Sequence, residues 1–407
     1  MTTRAPSTHP VPRDVPLDPA LLTPAVVHLG AHGLRRAYHA VYVDELLRRG
    51  VSTDWGLVRI ELLPPDVELD LDAVRRREVL TDPPREVVVL ADHVCLTGGC
   101  EDQLAVLADP ATRLVLVDVE VDVEVDDPLA RTAVGYLVGA LARRRAAGEP
   151  PFTALSCAAG PRNGSRLREA VLRLARDVDG GLAAWVEARG SFPSSVCEPL
   201  LPGGAGCPRW IVEDDFSDGR PPLDDVGVQL VPSTVPHELL RGRLHDAAFD
   251  VLAVQGALRG DRTAGAALAR PGARALLEGF LAEAGQQLLG FAEDELAGYR
   301  RNVVADLARD PGRELPAPGR SRFCTDVLPS LRQAVDHDGP RRWLVQALAD
   351  WLRVTSDGPG DAVDLLRRQH HVLGPLADEH RLTTELQQAL DLLPPSPSPT
   401  TTPVEFS

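Results

Sequence analysis

Residues 26–33 read VVHLGAHG, and the chain continues as LRRAYHAVYVDELLRRG to residue 50. A short apolar run that ends in glycines and passes into a helical repeat predicts a strand, a tight turn and a helix. A nucleotide-binding α/β unit opens in this way. The theme recurs downstream. LVRIELL at 57–63, EVVVLA at 86–91, RLVLVDVEV at 113–121 and FTALSCA at 152–158 read as buried strands. Helical patterns at 131–148 and 165–178 stand among them. Such alternation predicts a mostly parallel, doubly wound sheet with helices on its faces.

The pattern changes near residue 230. From there helical spacing dominates, at 237–258, 264–288, 293–308, 326–335, 340–354 and 379–393. The expected organisation is a disordered leader at 1–25, an α/β domain at 26–229 and an all-helical domain at 230–393. A Pro/Ser/Thr-rich tail at 394–407 is expected to be disordered.

Composition narrows the function. The formal charge of -16 over 407 residues has no basic stripe to offset it, which argues against nucleic-acid binding. No apolar run approaches the ~20 residues that span a bilayer, and the leader has no apolar core segment of a secretion signal. Six cysteines without a CxxC pair fit a reduced, cytoplasmic protein better than a disulfide framework or a zinc site. The 43 basic residues are all arginine. Without lysine there is no Schiff base and no lysine general base, and arginine, with a pKa above ~12, does not replace it.

The stretch HELLRGRLHDAAFDVLA, 237–253, is the helix on which chemistry would sit. Arg241 and His245 are four apart and share a face at ~100° per residue. His245, beside Asp246, titrates near neutrality. One reading makes His245 a base and Arg241 an anion binder. The other makes them an exposed helix face, with Asp246 and Asp250 as solvated acids. His370 and His371 lack a third ligand at suitable spacing, so no metal site is expected.

Several stretches, in order from about 26 to 393, resemble the mannitol dehydrogenase and fructuronate reductase family of long-chain polyol and sugar-acid dehydrogenases. They are VHLGAHGLRRAYHAVY, ADPATRLVLVDV, ALARRRAAGEPPFTALSC with Asn163-Gly164 after it, GSFPSSV, WIVEDDFSDGRPPLDDVGVQ, HELLRGRLHDAAFDVLA and LVQALADWLR. The resemblance implies a Rossmann domain, a helical C-terminal domain, NAD or NADP as cofactor and a small polyol or sugar-like substrate. It implies no nucleic-acid or membrane partner and includes monomeric members; a protein partner is unknown.

The functional positions depart from that family. Gly30 matches the first glycine of its G-x-G turn, but His32 replaces the second, where a side chain intrudes on a pyrophosphate. A loop rearranged at Gly33, with Arg35 or Arg36 meeting phosphate and Glu61 accepting from a ribose, is one outcome. An ordinary strand–turn–helix with a surface glutamate is the other. On the catalytic helix the resemblance implies a lysine base, an asparagine and a histidine where this chain has Arg241, Asp246 and Phe249. A carboxylate beside a forming alkoxide repels it. The family's S-C-D-N is Ser156-Cys157-Ala158-Ala159, its T-V-T-E is Asp118-Val119-Glu120-Val121, and the V-D-R after F-P-x-S is Cys197-Glu198-Pro199. Glu238 matches.

Three readings follow. The first is a catalytically impaired family member that acts in binding or regulation. The second is an active NAD(P)-dependent oxidoreductase with a site rebuilt around Arg241 and His245. The third is a cofactor-independent binder of a sugar-like ligand.

Overall fold

The computed structural model describes residues 18–31, 37–63, 78–79, 81, 84–96, 101–121, 127–198, 208–288, 290–309, 311–319, 323–356 and 360–392. The chain divides into two compact units, Met1–Glu238 and Leu239–Ser407.

In the first unit, β1 (Val26–Gly30), β2 (Leu57–Leu63), β3 (Ala91–Leu96), β4 (Leu114–Asp118) and β5 (Thr153–Ser156) form a five-stranded sheet in the order β3-β2-β1-β4-β5. Every pairing is parallel. Helices α1 (Tyr38–Arg48), α2 (Glu101–Ala108) and α3 (Pro128–Ala147) make the connections, and α4 (Asn163–Val178) and α5 (Gly180–Arg189) follow. Asp118 apart, the described residues of β1, β2, β4 and β5 are buried on both faces, which is why these strands read as continuous apolar runs. Val27, Leu29, Ile60, Val115 and Val117 pack in one core with residues of α3, α4 and α5. Val26, Leu57, Leu114, Leu116 and Leu155 pack in another with Ala40, Val43 and Leu46 of α1.

Local chemistry sets the ends of the elements. Asp127 caps α3 by accepting from Leu129 N and Ala130 N, Pro128 opens it, and Gly148 closes it at φ 78°. The apolar run at 86–91 is not the strand the sequence predicts. Val87 and Val89 are buried, Val88 N donates to the buried Asp44 carboxylate of α1 at 2.9 Å, and pairing with β2 starts at Ala91. A tertiary acceptor outbids the sheet for that backbone N–H.

Beyond β5 the chain keeps pairing. Ala154 N donates to Ser191 O and Ser156 N to Pro193 O, and the strand then turns into a second, three-stranded sheet. That sheet holds β6 (Ser195–Glu198), β7 (Arg209–Glu213) and β8 (Gln229–Val231) in the order β8-β7-β6. The sequence reading found no strand there, because each is short and the sequence between them is rich in proline, glycine and acidic residues.

The second unit is helical among its described residues. Helix α6 (Val235–Leu240) passes through a π-helical turn, Arg241–Asp246, into α7 (Ala247–Arg259). Then come α8 (Ala264–Leu268), α9 (Ala273–Gln286), α10 (Glu293–Arg309), a second π-turn (Phe323–Val327) leading into α11 (Leu328–Asp336), α12 (Arg342–Thr355), α13 (Ala362–Arg368), α14 (His370–Leu373) and α15 (His380–Asp391). Their apolar stripes meet in one core around Phe280, Leu348 and the stacked pair Phe323 and Trp351, whose centroids are 4.7 Å apart. Glu283 of α9 accepts from Trp343 N and Leu344 N, so a neighbouring helix satisfies the first turn of α12. Among the described residues, no helix is long and apolar enough to cross a membrane.

Candidate functional site

A parallel sheet in this order presents its binding crevice at the carboxyl ends of the strands where the winding reverses, here between β1 and β4. On one face, at that end, stand His28 and Gly30 of β1, Arg59 and Glu61 of β2, and Asp118 of β4; their register pairs His28 with Arg59 and Gly30 with both Glu61 and Asp118. Period-two alternation puts them all on the α1 side.

Two of the proposed cofactor residues fall in this region. Gly30 ends β1, and a Cβ built on it would lie 2.4 Å from Cε1 of His28. The glycine therefore makes room for its neighbour's imidazole. Glu61 is 1% exposed. It is buried, and so is not the surface glutamate of the bland reading. His32, Gly33, Arg35 and Arg36 lie outside the described residues. Of the proposed cofactor residues, the structure therefore describes Gly30 and Glu61 alone, and no step is derived through a dinucleotide.

Sequence reasoning passed over His28 and His39. Both are buried; His28 sits on β1 and His39 in the first turn of α1, and their rings stack at 5.0 Å. His28 Nε2 is 3.6 Å from Asp118 Oδ2, too long for a hydrogen bond. Both ring nitrogens of His28 and Nε2 of His39 are buried without a hydrogen-bond partner. Burial, reinforced by His28 and opposed by Asp118, pushes His39 down to about 3, so its ring is neutral. Leaving such a nitrogen unpaired costs on the order of 1–3 kcal/mol. Burial also pushes the Cys157 thiol up, with Asp118 and Cys197 adding to the effect, which makes it inert at neutral pH. Cys157, Cys197 and Cys324 are free thiols; Cys100 and Cys207 lie outside the described residues.

Framework groups around these strands are well satisfied. Asn163 Nδ2 donates to Ala158 O and Ser195 O, and its Oδ1 accepts from Ser195 N, which ties the end of β5 to the start of β6. A Cβ on Gly164 would meet Phe192 O at 2.3 Å, so only glycine allows α4 to approach that strand. Glu238 accepts from Thr234 Oγ1 at 2.8 Å and from Arg162 N at 3.0 Å. These contacts tie the first turn of α6 to the residue before α4.

The second candidate lies wholly in the helical unit. A π-turn spaces side chains by five, and Arg241 Nε accordingly reaches Asp246 Oδ2 at 3.4 Å. The expected pairing of Arg241 with His245 is replaced by this one. His245 is buried, not part of an exposed face, and both of its nitrogens are engaged: Nδ1 with Asp246 Oδ1 at 2.9 Å and Nε2 with Asp306 Oδ2 at 3.1 Å. Asp250, expected to be solvated, is also buried. Arg313 approaches Asp306 at 3.7 Å and lies over the Phe249 ring at 4.1 Å.

The electrostatics follow from these contacts. Burial disfavours charge on His245, but the hydrogen bonds its ring donates to both carboxylates outweigh it and raise the imidazole above its ordinary value. Burial would raise Asp246, yet His245 and Arg241 hold it below the usual carboxylate range. An imidazole with a carboxylate at each nitrogen is an imidazolium that donates twice. Neither Asp306 nor Arg313 was visible as a partner in the sequence, since each joins through tertiary packing some 60 residues away. His370 is exposed, and its Nε2 meets Asp378 Oδ2 at 3.3 Å.

The strand order and the β1–β4 crevice define a Rossmann-type α/β protein with a helical C-terminal unit. Comparison with known proteins makes the class specific. Residues 24–224 match the mannitol dehydrogenase Rossmann domain. Mannitol 2-dehydrogenase of Phaeosphaeria nodorum is 28% identical over 81% of this chain and 68% of its own length. D-mannonate oxidoreductase of Escherichia coli is 26% identical over 90% of this chain and 87% of its own. The ternary complex of Pseudomonas fluorescens mannitol 2-dehydrogenase with NAD and D-mannitol superposes with a TM-score of 0.70 at 19% identity, covering 92% of each chain, a likeness of fold. The chain belongs to the mannitol dehydrogenase family.

Proposed function

We propose that this family member is a catalytically impaired oxidoreductase homologue that has kept the two-unit fold and acts in binding or regulation. The observation that carries the reading is the double engagement of His245. Turnover of a secondary alcohol needs a base with an open lone pair and donors facing a developing oxyanion. At the helix where the family resemblance implies lysine, asparagine and histidine, this chain has Arg241, Asp246 and Phe249. Arg241 keeps its proton, Asp246 is an acceptor held by His245 and Arg241, and Phe249 is a platform for Arg313.

The alternative, an NAD(P)-dependent dehydrogenase of a polyol or sugar acid rebuilt around Arg241 and His245, requires a free imidazole nitrogen. Asp246 and Asp306 occupy both. A small polyol remains the ligand class the family suggests, and NAD or NADP the cofactor class.

Calorimetric titration with NADH and NADPH, followed by turnover assays on polyols and sugar acids, tests the proposal. The expected result is no turnover, whether or not a cofactor binds. Hydride transfer that is lost in Arg241→Ala or His245→Ala would replace this reading with the rebuilt dehydrogenase.

A further inference from the structure

We infer that His237 is the hydroxyl-binding residue of a ligand site that selects a neutral polyol over a sugar acid, with Glu198 as its positioning residue. The inference rests on the reading of this protein as a binder and names the class of ligand. His237 Nδ1 lies 3.2 Å from Oε1 of Glu198, the last residue of β6, and Arg209 Nη2 holds the other oxygen, Oε2, at 2.6 Å. A carboxylate oxygen only accepts, so Nδ1 is the donor and the neutral ring carries its lone pair on Nε2. Nε2 has no partner among the described residues and is not buried. It is an acceptor held in one tautomer and one direction, ready for an O–H group.

The competing explanation is an ion-pair cluster kept for stability. Glu198 is 4% exposed, and burying a carboxylate against a partly exposed arginine is a weak source of stability. A carboxylate held on both oxygens does fix the ring behind which it stands, as carboxylates do for working imidazoles. The backbone around His237 is anchored too. Thr234 N donates to Glu213 Oε1 at 3.2 Å, and Arg162 N donates to Glu238 Oε2 at 3.0 Å.

Charge sets the selectivity. Three residues before His237, Thr234 Oγ1 stands 2.8 Å from Glu238 Oε1 and 3.3 Å from Glu213 Oε1, so two carboxylates converge on one hydroxyl. Neither has a cationic side chain as partner among the described residues, since Arg162 meets Glu238 through its backbone N–H. A ligand carboxylate brought beside this pair is repelled, whereas a neutral polyol is not and offers O–H donors.

The test is calorimetric titration of the full chain with D-mannitol and with sodium D-mannonate. Mannitol is expected to bind, and mannonate to bind about tenfold more weakly or worse. His237→Phe and Glu198→Gln are each expected to weaken mannitol by about tenfold, the size of one lost hydrogen bond. Glu238→Gln is expected to narrow the ratio between the two ligands. Nitrogen NMR of the wild type at pH 8 is expected to find His237 Nε2 unprotonated and its resonance moved by mannitol, which a merely structural pair does not produce. The inference is overturned by no mannitol binding, by mannonate binding as tightly as mannitol, or by unchanged affinity in His237→Phe. If that variant fails to fold, the wild-type Nε2 resonance decides, and one that mannitol leaves unmoved overturns the site. Failure of the binder reading has its own signature, turnover of mannitol with NAD or NADP, and leaves the ratio of the two affinities to judge this inference.

Discussion

Two buried histidine clusters in this chain differ in what their nitrogens meet. In the helical unit, His245 spends both nitrogens on Asp246 and Asp306, and arginines close the two carboxylates from behind. At the carboxyl edge of the sheet, His28 and His39 meet each other's faces and leave three nitrogens unpaired. A closed network is a structural device: it holds a π-turn and its neighbouring helix in one arrangement. An open one is held by ring stacking alone. The family's chemistry belongs on the helix that carries the closed network, so the place where catalysis is implied is the place where polar groups have the least freedom to react.

A third polar group, Asp350, calibrates the comparison, because its neighbours are amides. Gln255 Nε2 and Gln346 Nε2 donate to its carboxyl group, and burial pushes it up to about 7. Its folded value exceeds the unfolded one near 3.8, so its contribution is full below that value and is lost as pH rises toward 7. The expected loss is on the order of 4 kcal/mol across that window. Urea unfolding from pH 4 to 7 should show a shallower fall in Asp350→Asn than in wild type; parallel curves would mean that Asp350 ionises normally.

Opening the closed network should cost less, but visibly. Asp306→Ala leaves the His245 imidazolium with one carboxylate and removes a partner of Arg313, and is expected to destabilise the protein by about 2–3 kcal/mol in urea unfolding. A change below ~0.5 kcal/mol would show the network to be ornamental.

The pH dependence of His245 sharpens the same point. Its value is raised in the folded state, so its stabilisation is complete below the unfolded value of 6.5 and fades as pH rises through the folded one. The stability gap between wild type and His245→Gln should be widest near pH 6 and narrow in alkali. Asp246, depressed, works in the other direction: its share is present above 3.8 and is lost as pH falls through its folded value. Nitrogen NMR at neutral pH should find both His245 nitrogens protonated; a neutral tautomer would reopen the rebuilt dehydrogenase.

The smallest effect is expected at the open cluster. His39→Leu gives up stacking but also removes an unpaired nitrogen, and the two should cancel to within about 1 kcal/mol. A loss of 3 kcal/mol or more would show that His39 is as firmly built in as His245.

The sequence alone determined the alternation of strand and helix, the change to helices near residue 230, the absence of lysine and the presence of Arg241, Asp246 and Phe249 where the family resemblance implies lysine, asparagine and histidine. These are properties of local periodicity and residue type, and they survive without knowledge of what packs against what. Only the tertiary structure decided that 87–89 yields its place in the sheet to Asp44, that Glu61 is buried, and that His245 is closed by Asp306. It alone brought His28, His39 and Asp118 together, because neighbouring strands β1 and β4 are separated by most of a hundred residues of chain. A hydrogen bond or a ring stack is a relation between groups, and sequence distance carries no measure of it.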